Sequence, residues 1–159
     1  MSRIQAREFA FKVIFSLQFN LPEEDRLSGG KDESKSFFRL MNGNLQLNEL
    51  AINDFLNENA LSQEDDKTFF YDMINSFISN KEQIENIINR NVSANKFKAI
   101  YKSDMAVLQL AVAEMLMKKY DYQIVVNEAV ELAKKYSDEK NYKFVHSVLS
   151  KIIKEIYSE

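Results

Sequence analysis

Glycine and proline are nearly missing from this chain, and that constrains its fold more than any other feature. The 159 residues include three glycines and one proline. All four (Pro22, Gly29, Gly30 and Gly43) fall in one window. Tight turns between strands depend on these residues, because glycine reaches positive φ without strain and proline presets a turn dihedral. A sheet-rich protein of this length would need many more of them. The rest of the chain reads as helices joined by short polar connections, and the fold class is all-α.

Apolar spacing places the helices. Within residues 3–19, Phe9, Ala10, Val13, Ile14 and Leu17 recur three and four apart and share one face. Residues 20–43 form the loosest stretch, with a short helix predicted near Phe37 to Met41 and stopped by Gly43. Leu47, Leu50, Ala51 and Leu56 mark a modest helix. Ser62 and Asp65 resemble a capping box ahead of a stripe made by Phe69, Phe70, Met73, Ile74, Phe77 and Ile78. Ile84, Ile87 and Ile88 restart the pattern, and Ser103 is predicted to cap a central helix running to about Lys119. Two more helices are predicted at roughly 124–136 and 141–157, the last with Val145, Val148, Leu149, Ile152 and Ile153 inward. The apolar run from Met105 to Met117 is too short to cross a membrane and reads as a buried helix. Glu114 inside it is expected to be buried and paired. The whole, residues 1–159, reads as a single domain with a loosely structured acidic insert at about 20–60.

Charge is distributed unevenly. Residues 21–66 carry four basic and eleven acidic side chains, whereas residues 1–20 carry Arg3, Arg7 and Lys12 against Glu8 alone. The first helix is therefore basic on a protein whose net charge is −3. Such a pattern permits a local anion-binding surface without demanding one, and solvated surface charge is the commoner explanation. With no cysteine there is neither a disulfide framework nor a thiolate metal site, which points to a reducing, cytoplasmic setting. The start of the chain has no signal-peptide pattern.

Catalytic signatures are thin. The single histidine, His146, reads as a surface or half-buried helix residue. No histidine pair supports a metal, and the three glycines lack phosphate-loop spacing. The carboxylate runs at Glu23–Asp25 and Asp65–Asp66 suit solvated helix starts better than acid–base pairs. On these signatures an enzyme is the weaker class.

Three blocks then carry a family likeness. Residues 125–152, "VVNEAVELAKKYSDEKNYKFVHSVLSKI", resemble the C-terminal signature of NusB-type transcription antitermination factors. The "SDMAVLQLAVAEML" and "QAREFAFKVIFSLQ" segments resemble that family's central and first helices. Ile4, Gln5, Gln109 and the His146–Ser147 pair depart from its usual pattern. The resemblance implies an all-helical, NusB-like fold of two small bundles with about six to seven helices. It also implies a binding role: pairing with the ribosomal protein NusE, holding single-stranded boxA RNA of ribosomal RNA operons, and joining the RNA polymerase antitermination complex.

The resemblance also nominates residues. Arg3 and Arg7, one turn apart on the first helix, and Lys143 correspond to positions facing RNA phosphates, and Phe144 to an aromatic face under a base. Phe15 and Asp104 correspond to partner-contact positions. Structural alternatives stand beside each. Phe144 and Phe15 can belong to the rim of the core, and Asp104 can favour the dipole of a helix start. The other function class left open is a helical interaction module of the same fold without RNA binding.

Overall fold

The structure is a computed structural model that describes residues 2–16, 18, 64–138 and 140–157. Every regular element among these residues is a helix: α1 (Ser2–Ser16), α2 (Glu64–Ser79), α3 (Lys81–Arg90), α4 (Ala94–Ala99), α5 (Lys102–Met117), α6 (Tyr122–Tyr136) and α7 (Tyr142–Tyr157). The all-α expectation holds. The acidic insert, the helices expected at Phe37–Met41 and Leu47–Leu56, the Ser62 cap and Leu17 lie outside the described residues. No described helix is long and apolar enough to cross a membrane. The chain divides into two compact units, Met1–Asp72 and Met73–Glu159, with the division inside α2.

In the first unit, α1 buries Ala6, Ala10, Phe11, Val13 and Ile14. Phe9, expected in that stripe, is half-buried, and Phe11 takes the inward place. At the end of α1 the side chain of Gln18 donates to the Ile14 carbonyl at 3.2 Å, and its backbone N–H donates to Phe15 O at 3.0 Å. Both bonds satisfy carbonyls that a helix end leaves open. The opening turns of α2 bury Asp66, Phe69 and Phe70.

The second unit is built around α5. Every residue from Ala106 to Met115 is buried, so this helix has no solvent face over its middle turns. It packs against α3, α6 and α7, and α7 packs in turn on α3 and α6. A helix apolar all round belongs in such a central position. Glu114 is buried as expected, at 2% exposure. The α7 stripe of Val145, Val148, Leu149 and Ile152 is buried, with Ile153 half-buried beside it.

Two details of α5 differ from the sequence reading. Its N-cap is Tyr101, and Ser103 sits inside the first turn with its hydroxyl donating to Ser137 Oγ at 3.3 Å. The serine is spent on a tertiary contact instead of a cap. The helix also stops at Met117, because Lys118 adopts a left-handed conformation (φ 54°, ψ 33°) and its N–H turns back to Met115 O. Polar clamps then close the unit. Ser76 donates to Ala113 O at 2.7 Å, Asn91 donates to Glu155 Oε1 at 3.1 Å, and Arg90 pairs with Glu155. The Arg90 guanidinium holds the Glu155 carboxyl below the usual carboxylate range.

Candidate nucleic-acid and partner interface

The two expected arginines share a face of α1, and that face meets an aromatic ring. The Arg3 and Arg7 guanidinium carbons lie 5.0 Å and 5.1 Å from the centroid of Phe69, within cation–π range. Arg3 also donates to the Asp65 carbonyl at 2.6 Å and to Asp66 Oδ1 at 3.3 Å. Arg7 is only 5% exposed. Both cations thus hold the start of α1 to the start of α2 within the first unit. Among the described side chains of the opening turn, Ile4 and Gln5 are exposed and Arg3 is 33% exposed.

Lys143 and Phe144 lie in the first turn of α7, with Lys143 exposed and Phe144 half-buried just before the core residue Val145. The backbone ahead of them is shaped by Asp138, whose carboxylate accepts the Lys140 N–H at 3.0 Å and whose carbonyl accepts the Asn141 N–H at 2.8 Å. An aspartate that captures the N–H two residues on makes an Asx turn, and here it delivers the chain into α7. Lys134, Lys140, Tyr142 and Lys143 line an open depression of about 710 Å³ at this turn. The Lys134 ammonium lies 4.8 Å from the Tyr142 ring centroid. Sequence reasoning passed over Lys134, Lys140 and Tyr142. The available signal was the density of lysines on both sides of the α6–α7 turn, at positions 134, 135, 140 and 143.

Of the two expected partner residues, Phe15 is half-buried and stacks nearly parallel on Phe11, with centroids 5.6 Å apart. Asp104 is 2% exposed. The Ser137 and Asn141 side chains hydrogen-bond to its carboxylate, and Oδ1 has no partner. Burial pushes this carboxyl above the usual range, opposed by those two hydrogen bonds and aided by the charge of Asp138. Asp104 therefore braces the same turn that carries the lysines. The second unit gathers Asp104, Lys143 and Phe144 around the α6–α7 turn, whereas Arg3, Arg7 and Phe15 belong to the first unit. Among the described residues no group of acidic or histidine side chains is placed to hold a metal.

A sequence profile of the NusB family matches residues 4–154. The transcription antitermination protein NusB of Finegoldia magna is 30% identical over 155 residues, covering 97% of this chain and 95% of its own length. That of Carboxydothermus hydrogenoformans is 31% identical over 157 residues, covering 98% and 95%. Among solved structures, the fold is shared with a crystal structure of antitermination factors NusB and NusE in complex with double-stranded RNA. That match has a TM-score of 0.67 and 24% identity, with 97% of each chain covered. It is shared as well with NusB of T. maritima, at a TM-score of 0.66 and 24% identity, covering 96% of this chain and 91% of that one.

Proposed function

Because the chain belongs to the NusB family, we propose that it is an RNA-binding antitermination factor that pairs with NusE. The pair holds single-stranded boxA-type RNA from ribosomal RNA leaders while RNA polymerase reads through terminators. It uses no cofactor, makes no covalent intermediate and works in the cytoplasm. The family match over residues 4–154 carries this reading. The geometry adds an exposed lysine beside a half-buried aromatic at the start of α7, a pairing suited to a phosphate and an unstacked base.

Within this reading Lys143 faces a phosphate and Phe144 supplies the stacking face. Arg3 keeps partial access to RNA, while Arg7 acts through the placement of α1. Phe15 contributes an aromatic edge to the NusE contact, and Asp104 serves it by fixing the turn beside α7. The test is fluorescence anisotropy of a labelled boxA-type RNA with the full chain, alone and with NusE. Phe144→Ala should weaken binding by about 1–3 kcal/mol while leaving its salt dependence unchanged. A second reading, the interaction module without RNA binding, is favoured by the internal engagement of Arg3 and Arg7. It prevails if the chain binds NusE and the pair leaves the RNA free.

A further inference from the structure

Three lysines line one depression in the second unit, and they come from three successive pieces of chain. Lys134 is in the last turns of α6, Lys140 is in the connecting turn and Lys143 is in the first turn of α7. Like charges gathered at one site repel, and a polyanion relieves that repulsion. Among the described residues Lys134 pairs with Glu131 at 3.6 Å, but both are well exposed and one turn apart on the same helix. Such a pair is worth little and gives way to a stronger anion. The nearby Asp138 is already occupied in turning the backbone through the Lys140 and Asn141 N–H groups. The Lys134 ammonium lies 4.8 Å from the ring centroid of Tyr142, which lines the same depression. At about 710 Å³ the space exceeds what one phosphate fills and suits a short run of backbone.

We propose that Lys134 and Lys140, together with Lys143, form a phosphate-backbone subsite for RNA, and that this subsite supplies most of the electrostatic part of binding. The assignment rests on the RNA-binding reading above and deepens it. It follows from where the cations are: Arg7 is buried and Arg3 is tied to Phe69, the Asp65 carbonyl and Asp66, whereas Lys134, held by the exposed Glu131 and the Tyr142 ring, lines an open depression with Lys140 and Lys143. Lys140 approaches from a turn held by Asp138, and Ser137, one residue ahead of that aspartate, is bonded to Ser103 and Asp104. The subsite is therefore preformed.

The experiment measures affinity of the full chain, with and without NusE, for a short single-stranded RNA between about 50 and 200 mM salt. Each lost phosphate contact on a single strand should flatten the plot of log affinity against log salt by about 0.7. At ~0.1 M salt that corresponds to roughly five-fold per lysine. The double variant Lys134→Ala, Lys140→Ala should therefore bind about 25-fold more weakly, with a slope lower by about 1.4. The variant Lys134→Arg, Lys140→Arg keeps both charges and should restore slope and affinity, which separates charge from local packing. Melting curves for each variant exclude misfolding as the cause. If the wild-type chain binds RNA and the double alanine variant keeps its slope, the subsite is wrong and the RNA-binding reading survives. If the wild-type chain binds no RNA in either state, both fall together.

Discussion

Replacing Arg7 by alanine separates a structural arginine from a phosphate-contacting one. Arg7 is 5% exposed, and its guanidinium carbon sits 5.1 Å from the Phe69 centroid. Alanine keeps Cβ, so two buried methylenes are lost, about 1.6 kcal/mol at ~0.8 kcal/mol each. A desolvated cation–π contact adds about 1–2 kcal/mol. Releasing the ordered side chain returns about 2 kcal/mol of rotamer entropy. The net loss is about 1 kcal/mol, which for a chain of this size lowers the melting temperature by about 2–4 °C. Thermal melts followed by circular dichroism at the helical band give the first measurement. RNA affinity at several salt concentrations, at a temperature where the variant is folded, gives the second. Arg7→Ala should melt early and keep the wild-type salt slope. The reasoning is refuted by the opposite pattern, an unchanged melt with a slope reduced by about 0.7.

Other outcomes follow from single side chains. For Asp104→Asn the pH decides. Burial raises the folded carboxyl above its unfolded range, so its favourable contribution is full below the unfolded pKa and is lost as pH rises through the folded one. The asparagine variant should gain on the wild type as pH rises, measured by urea midpoints at acidic and neutral pH; a wild type that gains instead contradicts the assignment. Lys118→Gly removes a side chain from a left-handed position and should stabilise the protein by about 0.5–1 kcal/mol in denaturant titrations. Phe15→Ala should cost about 0.5–1.5 kcal/mol of stability through the lost stack on Phe11. It should also weaken NusE binding in calorimetry; full NusE affinity with lowered stability would confine Phe15 to the core rim.

Local chemistry in the sequence was enough for the helices. Scarce glycine and proline ruled out a turn-rich sheet, and apolar spacing located α1, α2, α3, α5, α6 and α7 because each buries a face several turns long. The six-residue α4 escaped because it buries no residue and so leaves no periodic mark. Ser103 looked like a cap from its place before an apolar run, yet its hydroxyl is taken by Ser137, 34 residues away. The same distance in sequence explains the site. Arg3 and Arg7 read as a basic strip until Phe69 and Asp66, more than 50 residues later, claim their guanidinium groups. Asp104 read as a partner contact or a first-turn charge until the Ser137 and Asn141 side chains reach its buried carboxylate. Lys134 and Lys140 stand apart from the nominated Lys143 in the sequence until the packing of α6 against α7 brings the three to one depression. A helix depends on neighbours three and four residues apart, so its pattern is written locally. Which charges remain free for a partner depends on contacts between distant segments, and only the tertiary structure decides those.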